Sequence, residues 1–149
     1  MRVLFVCSAN TCRSQMLEFM FADYVQKRAG LLDGLNIETT SAGVFAQGES
    51  TNSFVLEVLS EHGVPCRKKQ AVRADKDVLE SADIVFAMNQ MQKELVENTV
   101  KNANVKSLSS ICKKDIFDPY GQGKEAYENL YGIFEKSLKT ILDIVVFAR

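Results

Sequence analysis

The sequence predicts an α/β chain, a four-stranded parallel sheet with helices on both faces forming a three-layer sandwich, read as one domain over residues 1–149. Three observations carry this. An apolar, β-rich run from Val3 to Val6 leads straight into a loop of small and polar residues and then a helical stretch from Gln15. Later apolar runs, Ala82 to Met88 and Val105 to Leu108, alternate with segments whose apolar residues recur every three or four positions. Strands alternating with helices build parallel sheets covered on both sides. With 149 residues, 46% of them hydrophobic, the chain has enough apolar surface for one buried core.

Each element follows from its local pattern. Val3, Leu4, Phe5 and Val6 are continuously apolar, as a strand buried on both faces must be. Leu17, Met20, Phe21 and Tyr24 then mark the core face of a helix from about Cys12 to Ala29, with Gly30 as its stop. Leu35 to Thr40 predicts the second strand, closed by Ser41-Ala42-Gly43, and Val44 to Ser50 a surface loop. Thr51 or Asn52 caps a helix reaching His62, burying Phe54, Val55, Val58 and Leu59 before Gly63 ends it. Asp75 to Ser81 is a short helix, Ala82 to Met88 the third strand, and Asn89 the cap of a helix from Gln90 to Glu97. Val105 to Leu108 is the fourth strand. From Lys124, the spacing of Leu130, Phe134, Leu138, Ile141 and Val145 describes one long closing helix.

The chemistry concentrates between Cys7 and Ser14. A strand, a tight loop and a helix N-terminus in so short a span make an anion cradle, because loop amides and the helix dipole point to one place. Arg13 adds a planar fork that holds two phosphate oxygens at once. Cys7 falls at the carboxyl end of its strand, where open α/β sheets bind ligands, and the field that attracts phosphate also favours a thiolate. Nucleophile and anion clamp share one loop, as phosphoryl transfer through a cysteine requires. A plainer reading also fits the spacing: Cys7 as a buried strand-end cysteine. Asp118-Pro119-Tyr120-Gly121 forms a turn before the last helix. Its aspartate is either a turn former or the acid that protonates a leaving group and then activates water.

Other functions find little support. The formal net charge of −1 supplies no basic field for nucleic acid or membranes. Cys66 and Cys112 are isolated and His62 is the only histidine, so neither a metal site nor a disulfide scaffold is expected. His62, at a helix end, reads as a residue suited to the helix dipole rather than as a catalyst. Arg67, Lys68, Lys69 and Arg73 read as a solvated connection or as a rim facing an acidic substrate. The N-terminus has neither a signal-peptide pattern nor a membrane span, and a working thiolate needs reducing surroundings, so a cytoplasmic location is expected.

Taken together, Cys7 to Ser14, Ser41-Ala42-Gly43 and Asp118-Pro119-Tyr120 resemble the low-molecular-weight protein tyrosine phosphatase family over essentially the whole chain. The family's loop runs Cys, any residue, Gly, Asn, any residue, Cys, Arg, Ser; Ala9 replaces the glycine here. The resemblance implies a flavodoxin-like sheet and a cofactor-free, metal-free hydrolase, a monomer acting on phosphorylated proteins without nucleic acid or membrane partners. It implies Cys7 as nucleophile and carrier of a phosphocysteine, Arg13 as oxyanion clamp and Asp118 as general acid and base. Ser8, Ala9, Asn10, Thr11, Cys12 and Ser14 would surround the phosphate, with Tyr120 beside the substrate. Asn10, Ser14 and Ser41 would support the loop. Cys12, inside the same tight loop as Cys7, is read either as its redox partner or as a merely buried cysteine.

Tyrosine-directed relatives commonly carry a bulky aliphatic residue at the place of Thr11, two aromatics after the Asp-Pro pair and a Trp after Ser-Ala-Gly. This chain has Thr11, a single Tyr120 followed by Gly121, and no Trp. It is most similar to the protein-arginine phosphatase branch, which makes phosphoarginine the expected substrate and phosphotyrosine the alternative. A thiol-dependent arsenate reductase and a phosphate-binding module are further alternatives. The first needs cysteines close together on a mobile segment, and the second has no use for Cys7 or Asp118.

Overall fold

A computed structural model describes residues 1–149. Four strands, β1 (Arg2–Cys7), β2 (Glu38–Gly43), β3 (Ile84–Ala87) and β4 (Val105–Ser107), form a wholly parallel sheet in the order β2-β1-β3-β4. The helices are α1 (Arg13–Gln26), α2 (Ser53–Glu61), α3 (Lys76–Glu80), α4 (Gln90–Thr99), α5 (Leu108–Cys112), α6 (Lys124–Glu135) and α7 (Leu138–Phe147). None is long and apolar enough to cross a membrane.

Alternation along β1 divides the interior in two. Val3, Phe5 and Cys7 face a large core shared with α1, α2, α6 and α7, while Leu4 and Val6 face a smaller one containing Leu79 of α3 and Val96 of α4. Phe5 anchors the large core, stacked on Phe86 and meeting Phe21 edge-on, with ring centroids 5.6 Å away in both cases. The chain leaves β1 for β2 on one side and reaches β3 on the other. The strand order therefore reverses at β1, and a crevice opens at its carboxyl end.

Several caps are those the residue pattern predicts. Asn52 caps α2 by accepting from the Phe54 amide at 2.9 Å, and Gly63 leaves that helix with φ +72°. Asn89 and Gln92 form a reciprocal capping box on α4, which runs two residues beyond the expected Glu97.

Other boundaries differ from expectation for local reasons. Helix α1 ends at Gln26 rather than Ala29, and Gly30 sits inside a 3-10 turn (Ala29–Leu31) without the left-handed φ of a glycine stop. Arg28 closes the helix instead: its guanidinium lies 3.5 Å over the Tyr24 ring and donates to the Tyr24 carbonyl. Strand β2 starts at Glu38, in register with Arg2 and ion-paired to it, so Ser41-Ala42-Gly43 lie within the strand rather than after it. Strand β3 is trimmed to Ile84–Ala87; Asp83, just before it, still donates its amide to the Arg2 carbonyl at 2.9 Å and accepts from the Arg2 amide through its carboxylate. Strand β4 holds only three residues, with Lys106 exposed at its centre, and Leu108 opens the unexpected α5.

The single closing helix is in fact two. Ser137 donates its hydroxyl back to the Ile133 carbonyl at 3.0 Å, and its oxygen lies 3.0 Å from the Cys112 sulfur. A serine bonding back in this way competes with the helical ladder, and α6 ends at Glu135 and α7 restarts at Leu138, which is still buried.

Candidate active site

Residues 8–12 leave β1 and enter α1 without side-chain help. No side chain caps α1, and the amides of Ser8, Ala9, Thr11 and Cys12 make no hydrogen bond within the protein. They join the unpartnered donors of the first helical turn, which gather partial positive charge above Cys7. The cavity there measures about 240 Å³ and is lined by Cys7, Ala9, Asn10, Thr11, Cys12, Arg13, Glu49, Asp118 and Tyr120. A larger hollow of about 520 Å³ lies around Cys112, Lys114 and Ser137, with no comparable meeting of thiol, guanidinium and free amides. No three His, Cys, Asp or Glu side chains converge as a metal site.

Asn10 holds the loop in shape. It takes the left-handed conformation, φ +59°, which asparagine tolerates better than most residues, and it is fully buried. Its backbone amide donates to the Cys7 sulfur at 3.2 Å. Its side-chain oxygen accepts from the Val72 amide at 2.9 Å, which fixes the carboxamide's orientation. The side-chain nitrogen therefore donates to Ser14 at 2.7 Å and to Ser41 at 2.9 Å. Ser14 Oγ, already accepting from Asn10, is left to donate its proton to the Cys7 sulfur 2.9 Å away. Each hydrogen bond thus dictates the direction of the next.

A second line of polar residues backs this network. Ser41 donates to Glu18 at 2.5 Å, and Glu18 is ion-paired to Lys69 at 2.8 Å, with side chains only 9% and 18% exposed. Gln15 donates to the Asn10 carbonyl and accepts from Thr51, while Thr51 accepts from the Lys69 amide. Gln92 donates to the Ser8 hydroxyl at 3.0 Å. Lys69 accordingly points inward and is no rim residue, whereas Arg67, Lys68 and Arg73 are exposed. None of Gln15, Glu18, Thr51, Gln92 and Glu49 was read as a site residue from the sequence, Thr51 having been read only as a helix cap. The available signal was Ser14, Gln15 and Glu18, a polar stripe at the start of an otherwise apolar helix.

Gly43 has a steric reason to be glycine. A Cβ there would stand 2.5 Å from the Ser8 carbonyl oxygen, 2.8 Å from the Asn10 nitrogen and 2.9 Å from the Ala9 carbonyl carbon. Strand β2 and the loop pack backbone to backbone, with Cys7 and Gly43 as register partners.

Arg13 is buried, its guanidinium tethered by a 3.0 Å hydrogen bond to the Ile116 carbonyl and 3.9 Å from the Asp118 carboxylate. Asp118 is 56% exposed at the mouth, its other oxygen accepting from the Tyr120 amide, with Gly121 following at φ +79°. The Cys12 sulfur lies 3.4 Å from the Tyr127 hydroxyl and 3.7 Å from that of Thr11. Burial pushes the Cys12 thiol above its usual range, and burial together with Cys12 raises Tyr127 as well. His62 stacks on Tyr131 at 3.8 Å and pairs with Glu128, outside the cavity.

The chain as a whole is similar to known proteins. The family model for low molecular weight phosphotyrosine protein phosphatase matches residues 2–146. The chain is 30% identical over 148 residues to the protein-arginine-phosphatase of Bacillus subtilis, covering 95% of this chain and 94% of the relative. It is 28% identical over 152 residues to low molecular weight protein-tyrosine phosphatase A of Mycobacterium tuberculosis, covering 97% and 91%. A crystal structure of a Bacillus subtilis YwlE mutant superposes with a TM-score of 0.84 at 26% identity, covering 97% of this chain and 98% of that one. A YwlE arginine phosphatase mutant with a phosphorylated active-site serine superposes with a TM-score of 0.76 at 26% identity, covering 95% of each.

The backbone contact at Gly43 makes a direct test. Gly43→Ala must displace the loop, so turnover of an aryl phosphate should fall by about a hundredfold. Urea unfolding should show a stability loss of about 1–3 kcal/mol. Activity within twofold of wild type would mean the loop geometry does not depend on this contact.

Proposed function

This chain belongs to the low molecular weight phosphotyrosine protein phosphatase family, and from that premise we propose that it removes phosphoryl groups from arginine side chains of proteins through a phosphocysteine on Cys7. The observation carrying the arginine assignment is Thr11, a small, hydroxylated wall residue in the cavity that holds Cys7, Arg13 and Asp118. The relative named as a protein-arginine-phosphatase supports the same choice.

In this reading the Cys7 thiolate, held by the Ser14 hydroxyl and the Asn10 amide, attacks phosphorus as the bond to the leaving nitrogen breaks. Arg13 and the free amides of Ser8, Ala9, Thr11 and Cys12 receive the charge that builds on the equatorial oxygens. Asp118 gives its proton to the leaving nitrogen, so arginine departs as a guanidinium rather than as a strongly basic neutral guanidine. The Asp118 carboxylate then takes a proton from water. That water attacks phosphorus, the phosphorus–sulfur bond breaks, and phosphate and the thiolate are released. Tyr120, exposed at the mouth, flanks the incoming side chain.

Cys7→Ser should lose essentially all turnover while still binding phosphate or vanadate. Asp118→Ala should slow substrates with poor leaving groups far more than activated aryl phosphates, by about a hundredfold against a few fold. Residual Cys7→Ser activity, or equal losses for Asp118→Ala on both substrates, would contradict these roles.

Specificity is read from phosphoarginine and phosphotyrosine peptides compared at equal concentration. The wild type should favour phosphoarginine. Thr11→Ile, which removes the hydroxyl and adds apolar volume, should move the ratio of kcat/KM toward phosphotyrosine by roughly tenfold to a few hundredfold. A wild type preferring phosphotyrosine, as the names of several relatives would lead one to expect, would overturn the arginine assignment.

The redox role of Cys12 depends on its proton. Peroxide converts the Cys7 thiolate to a sulfenic acid, and a Cys12 thiolate attacking it closes a disulfide with loss of hydroxide. Because burial holds the Cys12 thiol protonated, disulfide closure should speed up as pH rises through 7 to 9. Thiol-reversible protection should be lost in Cys12→Ser. If that variant recovers as fully as wild type, Cys12 is not the resolving thiol.

A further inference from the structure

The cavity over Cys7 has an unexpected charge balance for a phosphate site. Of the side chains lining it, Arg13 is the only cation, and two are carboxylates, Asp118 and Glu49. Asp118 has Arg13 at 3.9 Å, whereas Glu49 forms no ion pair with any basic group. An unpaired carboxylate beside the binding place of a phosphate dianion weakens binding, unless the ligand also carries a cation close to phosphorus.

The backbone holds Glu49 at this place. Its carbonyl accepts from the Ala71 amide at 2.7 Å, Ser50 bridges Gln70 in antiparallel fashion, and the Thr51 amide donates to Lys69. The partner strip, residues 69–72, is tied to the loop itself through the Val72 amide and the Asn10 side chain. Glu49 is therefore registered to the phosphate cradle by hydrogen bonds, although it sits on an exposed segment.

We infer that Glu49 is a specificity-determining residue that accepts hydrogen bonds from the guanidinium of the phosphorylated side chain, a role that rests on the phosphoarginine reading above. Phosphoarginine joins the two charges in one side chain. Its phosphate occupies the amide ring, and the nitrogens not bonded to phosphorus carry the cation back toward the mouth. Asp118 serves the bridging nitrogen, and Glu49 serves the nitrogens that Asp118 leaves free. A carboxylate accepting from a guanidinium is a charge-assisted pair with directional donors. A tyrosine ring offers Glu49 neither a donor nor a charge.

The test uses blocked single amino acids, so that no neighbouring lysine or arginine of a peptide can supply the cation. The values of kcat/KM for blocked phosphoarginine and blocked phosphotyrosine are measured on wild type and Glu49→Gln at low and high salt. The ratio favouring phosphoarginine should fall about tenfold in Glu49→Gln, with phosphotyrosine turnover rising as a repulsive charge is removed. Glu49→Lys should move the ratio further in the same direction. The difference between wild type and variant should shrink in 0.5 M salt, since an exposed charge is screened and a steric effect is not. A wild type that hydrolyses phosphoarginine and whose ratio is unmoved in both variants overturns the assignment of Glu49 alone. A wild type without phosphoarginine turnover overturns the substrate reading and Glu49's role with it.

Discussion

The left-handed turn at Asn10 is the constraint on which the active-site loop depends. One residue places its amide on the Cys7 sulfur, its carboxamide on Ser14, Ser41 and Val72, and its carbonyl on Gln15. These partners come from β1, α1, β2 and the strip before α3, so four parts of the chain must be assembled before the loop can close. Holding asparagine at φ +59° costs little, and its carboxamide supplies the two donors and the acceptor the site needs. The loop's other amides are thereby left pointing into the cavity. A buried network is stable only when every member is satisfied, and no buried side-chain polar atom here lacks a partner.

Glu18 and Lys69 extend that network to the edge of the buried region. A buried ion pair gains little net stability, because both charges surrender their hydration. What it gives here is direction. Glu18 can only accept, so Ser41 must donate to it and is left to accept from Asn10. The proton order is thus set from one end, and the hydroxyl of Ser14 reaches Cys7 as a donor. The uncapped start of α1 completes the arrangement, because a side-chain cap would have consumed the donors that an oxyanion requires.

Much of this was legible in the sequence because the information is local. The run Val3 to Val6, the thiol at its end and the small-residue loop before a helix imply strand, nucleophile and cradle without reference to the rest of the chain. The caps Asn52 and Asn89 were readable for the same reason. What escaped depends on contacts between distant segments. Periodicity ran unbroken through Ser137, since the break comes from a hydroxyl that bonds backward and a thiol on α5. Lys69 looked like one of several solvated cations until Glu18, 51 positions earlier, turned it inward. Glu49 carries no local signal, for only the pairing of residues 49–51 with 69–71 brings it to the cavity.

The sheet's outer edges bear on how the molecule behaves in company. Strand β4 offers only three residues to a passing chain, and the middle one is an exposed lysine. Strand β2, at the opposite edge, opens with Glu38, whose carboxylate is bound to Arg2. A three-residue edge with a charge at its centre, and an opposite edge whose end at Gly43 is already bonded to Val72 and Ala74, are poor templates for another strand, so copies of this protein find no ready seam along which to join into extended sheets. The working end can then keep its loop amides unpartnered over the buried Cys7 thiol in a crowded solution. Strand-to-strand aggregation is resisted at the sides of the fold, and the carboxyl end of β1 is left free for chemistry.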